Sequence, residues 1–371
     1  MAYPTLTHPA EATEDPTLAI DCAHPFDDIS LLICHELRTP LTSIQGALKL
    51  LGYQQSGSLS DDGQRLLTIA INNADRLTRL ANALETHPVQ LLTLLSNAEI
   101  DSLQLENELH QAVAQQEIYL AYQPIVATDT HQIIGLEALA RWRHSSRGDI
   151  SPEVFVPLAE KTGLIYSLGL FLLEQACQQL NRWQSEFPSP SPLTMSVNLS
   201  AVQLLQPQLA AQIDQILQRH SIAPSSLKIE VTESALIENK TLALNTLADL
   251  RRLGIQLYID DFGTGYSSLG RLQDLPFDTL KIDRSFIRNK NWAMSEAILI
   301  MAEKLNLDVI VEGVETLEDM TSLQKLGCIK MQGYYFSPPR DSTTITTMLA
   351  QQALGNVPNL VQELLSAVSM A

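Results

Sequence analysis

The chain of 371 residues is 45% hydrophobic and 18% charged, with a formal net charge of −18. This composition is typical of a soluble globular protein, and no uninterrupted apolar run is long enough to span a membrane. The negative surface repels nucleic acid and anionic membranes, so we expect no DNA or RNA duplex as a partner, and a phosphate-bearing substrate would need local cations.

The N-terminal quarter of the sequence predicts a tail followed by a helical hairpin. Residues 1–26 have scattered prolines and little apolar periodicity, which predicts a mobile tail, and they lack the features of a secretory leader. Residues 27–86 have the periodicity of two helices, about 28–53 and 61–86, joined by a GSLSDD turn. Such a hairpin cannot bury both apolar stripes alone, so we expect a homodimer with a four-helix bundle.

Residues 87–116 are predicted to form a helical linker into a larger domain. The cysteines do not suggest another module, because they are far apart and show no CxxC or CxxH spacing. This pattern argues against a zinc site and against a disulfide framework, and it suits a reducing cytoplasm. We therefore expect a cytoplasmic protein.

Beyond residue 117, short β-rich runs alternate with amphipathic stretches at 166–185, 201–220, 240–253 and 292–305. The runs are YLAYQPIV, IIGLEALAR, LTMSVNLS, LKIEVTES, QLYIDDF, TLKID, DVIVEGV and KMQGYYF. Eight strands rich in Val, Ile and Leu that alternate with helices predict an α/β fold, a TIM-like (β/α)8 barrel, ahead of a doubly wound sheet. Residues 355–371 are predicted to be a C-terminal tail.

Polar residues lie within or at the end of six of these runs. They are Glu137, Asn198, Glu230, the pair Asp260 and Asp261, Lys281 and Glu312. The C-terminal ends of parallel barrel strands open on one face, so we expect these side chains to converge there. So many carboxylates cannot all stay ionised without cations, and oxygen ligands with an amide among them favour Mg²⁺ or Mn²⁺ over zinc.

Asp260 and Asp261 are adjacent, although successive strand residues point to opposite faces. Both can face one site only where the strand turns into its loop, as the following FGTGYSS implies. Adjacent aspartates at such a turn suit two metal ions bridged by one carboxylate, an arrangement that activates water and clamps a phosphodiester.

Residues 103–354 resemble the EAL-domain cyclic di-GMP phosphodiesterases. The matching segments are YQPIV, EALAR, VNLS, EVTES, DDFGTGYSSL, LKID, VEGVE and QGYYF. The resemblance implies hydrolysis of cyclic di-GMP to linear pGpG with two Mg²⁺ or Mn²⁺ ions. It also implies four ligands of the first metal, namely Glu137, Asn198, Glu230 and Asp260. Asp260 and Asp261 would bind the second metal, and Gln332 would be a metal-shell or water-positioning residue.

The same resemblance implies roles for residues around the metals. Lys281 would lie near the attacking water, and Glu312 would be an additional active-site acid. Gln123 and Arg141 match substrate-contacting positions, and Arg141 would supply a local cation. Two further acids are implied to steady the DFGTGYSS loop and its acidic shell, Glu233 and Glu315.

The N-terminal segments ICHELRTPLTSIQGALKLL and NNADRLTRLANAL resemble the dimerisation and phosphoacceptor hairpin of sensor histidine kinases. The resemblance implies that His35 could accept a phosphoryl group, with Glu36 orienting the imidazole. The kinase ATP-binding domain is not found between the hairpin and the barrel, so a separate histidine kinase or response regulator would be needed. Two interpretations stay open, a dimerisation module and a phosphotransfer input.

Two rivals to an enzyme also stay open: a catalytically weak receptor for cyclic di-GMP, and a phosphorelay scaffold that signals by protein–protein interaction. All the implied ligands are present, which favours an active phosphodiesterase.

Overall fold

The structure, a computed structural model, describes residues 97–115, 117–233, 240–263 and 275–355, together with Ile44 and Leu272. The chain divides into two compact units, Met1–Ser96 and Asn97–Ala371. Apart from Ile44, the predicted tail and hairpin of residues 1–86 lie outside the described residues, as do residues 356–371.

Within the described residues, nine β-strands form one sheet. Their bounds are β1 (Ile118–Ala127), β2 (Gln132–His144), β3 (Gly148–Ile150), β4 (Thr194–Asn198), β5 (Leu227–Thr232), β6 (Gln256–Phe262), β7 (Thr279–Ile282), β8 (Asp308–Val311) and β9 (Lys330–Gln332). The order β1-β9-β8-β7-β6-β5-β4-β2-β3, with β1 also paired to β2, closes eight strands into a barrel and leaves β3 outside the ring. The predicted TIM-like barrel is confirmed.

One strand runs against the expected direction. From β2 through β4 to β9, neighbouring barrel strands are parallel, but β1 is antiparallel to both β2 and β9. Residues 128–131 connect β1 directly to β2, and a parallel connection would need a crossover of a dozen or more residues. The prediction that all strands are parallel is therefore wrong for β1.

The described helices alternate with the strands. They are α1 (Asn97–Ala114), α2 (Pro152–Thr162), α3 (Ile165–Glu186), α4 (Leu209–Arg219), α5 (Lys240–Leu253), α6 (Arg284–Arg288), α7 (Trp292–Lys304), α8 (Leu317–Lys325) and α9 (Ser342–Ala353). In this part of the chain, no helix combines the length and the apolar character needed to cross a membrane.

The helix predicted at 201–220 begins later than expected. Residues 203–205 form a 3₁₀ turn, and the regular helix α4 starts at Leu209. Pro207 lies between them, and it has no N–H to donate to an α-helical interior. The other predicted helices agree with α3, α5 and α7 within one residue.

Alternating strand residues separate two layers of packing. Leu257 and Ile259 of β6 belong to the large core cluster, whereas Tyr258 packs with Ile125 and Ile310 in a separate small cluster. The next β6 residue with the orientation of Tyr258 is Asp260, because side chains alternate along a strand. The apolar cluster therefore lies one inward position below the polar residues of the predicted site.

Candidate metal centre

The side chains predicted to form the site come from eight barrel strands. In strand order they are Gln123 (β1), Glu137 (β2), Asn198 (β4), Glu230 (β5), Asp260 (β6), Lys281 (β7), Glu312 (directly after β8) and Gln332 (β9). Hydrogen bonds and ion pairs connect all eight into one network. The predicted convergence at one end of the barrel is therefore present.

Lys281 is fully buried and surrounded by four carboxylates. Its Nζ lies 2.5 Å from Glu230 Oε2, 2.6 Å from Glu312 Oε1, 3.0 Å from Asp260 Oδ1 and 3.3 Å from Glu137 Oε2. Burial alone would lower the pKa of Lys281, but the carboxylates outweigh it and raise the pKa well above its usual value. One ammonium faces four acids, so the cluster has an excess of negative charge when they are ionised.

Glu137 is held by amide donors. Asn198 Nδ2 donates to its Oε1 at 2.7 Å, and Gln332 Nε2 donates to its Oε2 at 2.8 Å. Burial opposes ionisation of this carboxyl group, but Lys281, Gln332 and Asn198 together lower its pKa. The protein itself therefore stabilises the negative charge of Glu137.

Glu230 and Glu312 behave in the opposite way. Burial, followed by the charge of Glu137, raises the pKa of Glu230 well above its usual value. Burial also raises the pKa of Glu312 to about 8, with Lys281 acting against this rise and Asp260 adding to it. In the absence of cations, the cluster therefore holds protons near neutral pH that a bound cation would displace.

The backbone turns at Asp261, as the adjacent aspartates predict. Asp261 has φ 54°, in the left-handed region, and the β6–β7 register shifts between Ile259 and Phe262. This irregularity lets neighbouring side chains share one face, and one carboxylate oxygen each from Asp260, Asp261 and Glu312 lie within 4.8 Å of one another. Such a cluster could hold a metal ion.

Two buried oxygens support a cation at this site. Among the described residues, Glu230 Oε1 and Gln332 Oε1 have no hydrogen-bond partner. A buried acceptor without a partner is costly, and a cation would satisfy it. Carboxylate and amide oxygens are the ligands that Mg²⁺ and Mn²⁺ prefer, so these residues fit a hard divalent ion.

Comparison with known families identifies the barrel. The model of the EAL domain matches residues 106–339. The chain belongs to the EAL-domain family. The model of the His Kinase A (phospho-acceptor) domain matches residues 32–86, so both resemblances read from the sequence are confirmed.

Curated relatives of this EAL domain include two proteins of Pseudomonas aeruginosa. The bifunctional diguanylate cyclase/cyclic di-GMP phosphodiesterase MucR is 40% identical over 267 residues, which are 71% of this chain and 37% of MucR. The cyclic di-GMP phosphodiesterase NbdA is 39% identical over 263 residues, which are 70% of this chain and 33% of NbdA. The chain thus spans about a third of the length of these relatives.

A solved structure of PaMucR phosphodiesterase in complex with c-di-GMP has the same fold. Its TM-score is 0.62 at 40% sequence identity, and the match covers 65% of this chain and 99% of that one.

The residues expected to contact substrate lie beside the EAL-domain cluster. Gln123 is buried opposite Glu137, donates from Nε2 to the carbonyl oxygen of Ser337 at 3.1 Å, and accepts from Gln332 Nε2 at 3.0 Å. Arg141 lies two inward positions beyond Glu137 on β2, is half-buried, and donates from Nη1 to the carbonyl oxygen of Ala140.

The two acids expected to steady the loop, Glu233 and Glu315, are described, but most of the loop lies outside the described residues. Glu233 follows β5, and its buried Oε2 has no hydrogen-bond partner among the described residues, while residues 264–271 lie outside them. Glu315 is exposed and pairs with Arg288 at 3.3 Å. His35 lies outside the described residues, so the roles of these residues stay predictions.

The sequence interpretation missed a second buried lysine in the barrel. Lys228 lies two residues before Glu230 on β5, and its Nζ contacts Gln256 Oε1 and the carbonyl oxygen of Ser225. Burial lowers the pKa of Lys228 to about 8. The sequence spacing could have indicated this lysine, because residues two apart on a strand point to the same face, and Lys228 therefore faces the barrel interior with Glu230.

Proposed function

We propose that the barrel hydrolyses cyclic di-GMP to linear pGpG, using a water nucleophile and two divalent cations, Mg²⁺ or Mn²⁺. The observation that carries the proposal is the ring of four carboxylates around the buried Lys281, with unpaired oxygens beside it. MucR and NbdA, which share the EAL domain, are named as cyclic di-GMP phosphodiesterases, and this supports the choice of substrate.

Two sets of oxygens would hold the cations. The first set is Glu137, Asn198, Glu230 and Asp260. The second set is Asp260, Asp261 and Glu312, whose oxygens lie within 4.8 Å of one another. Bound cations would supply Lewis-acid activation of water and would neutralise charge on the phosphodiester. Gln332 would complete the shell with its unpaired oxygen.

Lys281 would orient the attacking water and stabilise negative charge that develops during the attack. Its ammonium is fixed by four carboxylates and stays protonated, because these acids raise its pKa. A fixed cation needs no reorganisation when charge develops at the phosphate. Glu312 would be the further acid of the site, and a bound cation would displace the proton that its pKa of about 8 otherwise lets it hold near neutral pH.

Gln123 and Arg141 would bind the nucleotide. A chain with net charge −18 repels a dianionic substrate over most of its surface, so a cation beside the site is needed. Arg141 lies on the same strand face as Glu137 and carries that charge. A guanidinium is suited to phosphate because it donates two parallel hydrogen bonds.

The decisive experiment is HPLC detection of pGpG after incubation of the full-length protein with cyclic di-GMP and Mg²⁺. We expect turnover with Mg²⁺ or Mn²⁺, none in excess EDTA, and none for Glu137→Ala. Nucleotide binding without any pGpG would instead support the receptor alternative. Full turnover in EDTA would contradict the role of the cations.

The match of residues 32–86 to the phosphoacceptor domain supports a regulatory module. We propose that this segment forms a cytoplasmic homodimer through its predicted hairpin and controls the barrel. Phosphotransfer to His35 from a separate histidine kinase or response regulator is the second candidate. Transfer of ³²P from a cognate kinase to the wild type but not to His35→Ala would support it.

A further inference from the structure

The last turn of helix α2 contacts two elements through adjacent residues. Glu160 Oε1 accepts a hydrogen bond from Ser200 Oγ at 2.5 Å. Lys161 Nζ pairs with Glu106 of helix α1, whose side chain is only 2% exposed. Side chains one residue apart on a helix point about 100° apart, so these two partners lie on different sides of α2.

Ser200 belongs to the turn that follows a proposed metal ligand. Asn198 ends β4, and Ser200 comes two residues later. The Ser200 Oγ accepts from the backbone N–H of Val202 at 3.2 Å, and its own N–H donates to the buried Gln203 Oε1 at 3.1 Å. Glu160 therefore anchors a turn whose internal hydrogen bonds already fix its shape.

The anchored turn sets the direction in which Asn198 leaves the strand. Its Nδ2 donates to Glu137 Oε1 at 2.7 Å, which leaves its amide oxygen available to a cation. Leu199 donates from its backbone N–H to the carbonyl oxygen of Glu230 at 2.8 Å, so the turn also touches the neighbouring ligand strand. A shift of Ser200 would therefore move Asn198 relative to both Glu137 and Glu230.

We propose that Glu160 and Ser200 are positioning residues for the ligand Asn198, and that helix α2 thereby couples helix α1 to the metal centre. The inference rests on the proposed function, which assigns Asn198 as a ligand. Helix α1 directly follows the Met1–Ser96 unit in sequence, so a displacement of α1 would reach the metal site through Glu106, Lys161 and α2.

Metal affinity should report this coupling. Loss of a group that orients a metal ligand typically weakens metal binding by about 10- to 100-fold. Ser200 acts on Asn198 through two residues of backbone, so we expect the lower end of that range for Ser200→Ala. Thermal stability of the metal-free Glu160→Ala variant should change little, because the hydrogen bonds from Val202 N–H to Ser200 Oγ and from Ser200 N–H to Gln203 Oε1 still constrain the turn.

The test measures Mn²⁺ binding to the full-length protein by EPR of free Mn²⁺, without nucleotide. Ser200→Ala and Glu160→Ala should each weaken binding about tenfold, whereas Glu160→Gln should restore most of it because the amide oxygen still accepts from Ser200. The matched control is Ser167→Ala, an exposed serine that donates to the carbonyl oxygen of Leu164. Wild-type affinity in Ser200→Ala, or in Glu160→Ala should Ser200→Ala fail to fold, would overturn the positioning role.

The α1 side of the proposal has its own matched pair. Glu106→Gln should weaken Mn²⁺ binding several-fold, since it removes the charge that pairs with Lys161. Glu108→Gln changes the same helix but loses pairs with His144 and Arg147 instead, so it should bind Mn²⁺ as the wild type does. Equal affinities for the two variants would overturn the coupling.

Failure of the proposed function would look different. Wild-type protein that binds Mn²⁺ but forms no pGpG would refute the hydrolase, and the binding data would still decide the role of Ser200. Wild-type protein that binds no Mn²⁺ would overturn both proposals.

Discussion

Two neighbouring glutamates around Lys281 should respond oppositely to neutralisation. The folded protein favours the charge of Glu137, whose pKa is lowered, and disfavours that of Glu230, whose pKa is raised. Without cations at pH 7.5, Glu230→Gln should therefore raise the melting temperature and Glu137→Gln should lower it. Each kcal/mol of unfolding free energy gained or lost corresponds to about 2–4 °C. Differential scanning fluorimetry in EDTA measures both shifts.

Both of these variants should lose turnover, because each removes a proposed metal ligand. Stability and activity would then be separated, since the variant with the higher melting temperature would be inactive. Shifts of the same sign for Glu137→Gln and Glu230→Gln would contradict the assignment of favoured and disfavoured charge. Exposed Glu318→Gln, which loses only a surface pair with Lys290, is the matched control.

The pKa of Glu312 predicts how pH affects the metal centre. Its value of about 8 in the cation-free protein lies above the usual 4.5, so the folded state binds this proton more tightly than the unfolded state does. Stability of the cation-free protein should therefore fall as pH rises from about 4.5 to 8. Mg²⁺ must displace the same proton, so its apparent affinity should rise over pH 6–8, by at most about tenfold per unit for one proton.

Calorimetry of Mn²⁺ binding in buffers with different ionisation enthalpies measures this proton release directly. We expect Mn²⁺ binding at pH 7 to release protons from the cluster, and fewer protons to be released in Glu312→Gln. Metal affinity that is independent of pH between 6 and 8 would show that Glu312 is already ionised before the cation binds.

Most site residues could be predicted because they interrupt or end buried apolar runs. Glu137 and Glu230 lie inside runs of Leu, Ile and Val, where an unpaired charge is too costly to occur without a partner. The ring around Lys281 could not be predicted, because its distances depend on strand order and tilt. The predicted role of Glu315 rested on the family resemblance alone, and in the structure Glu315 pairs with Arg288 at the surface.

At the level of elements, the turn at the end of β6 carries a conformational requirement of its own. Asp261 has φ 54°, a region that Asn and Asp tolerate and β-branched residues do not. Asp261→Asn should therefore lose turnover and keep its stability, whereas Asp261→Val should also lose about 1–2 kcal/mol of unfolding free energy. Urea denaturation of both variants in EDTA measures the difference.

Asp261→Gly separates strain from the loss of the side chain, because glycine accepts this backbone conformation without a Cβ. It should match Asp261→Asn in turnover and exceed Asp261→Val in stability. Equal stability of the valine and asparagine variants would show that the strand can relax and that the bulge is not fixed by neighbouring β7.

Strand periodicity located the barrel well, while connections were harder to predict. The continuous apolar residues at the start of β6 indicate a strand that is buried on both faces, and this pattern depends only on local sequence. The direction of β1 depends on the four-residue turn to β2. The (β/α)8 pattern assumes a helical connection there, so it predicts the wrong direction. The late start of α4 has a local cause. Residues 201–208 have apolar periodicity, but Pro207 prevents them from continuing into one regular helix with α4.

At the scale of the whole molecule, one acidic chain combines a phosphodiesterase-family barrel with a segment that matches a phosphoacceptor domain. The barrel unit begins at Asn97, and α1 packs on the barrel through Leu105, Leu109 and Ala112. The described residues from α1 onward therefore share a hydrophobic core of their own. Two routes by which the N-terminal segment could regulate the barrel are a displacement of α1 and the pairing of two barrels.

Deletion of residues 1–88 tests which of these applies. The cut leaves α1 and its pair with Lys161 intact, so the barrel should stay folded, while self-association should weaken because the predicted hairpin supplies the dimer contact. His35→Ala should leave association unchanged, since the imidazole of a phosphoacceptor histidine is expected to face solvent and not to pack in the dimer contact. Sedimentation velocity of the three proteins at equal concentration measures this. A monomeric full-length protein would reject dimerisation through the hairpin, and phosphotransfer to His35 would then better explain why this segment precedes the barrel.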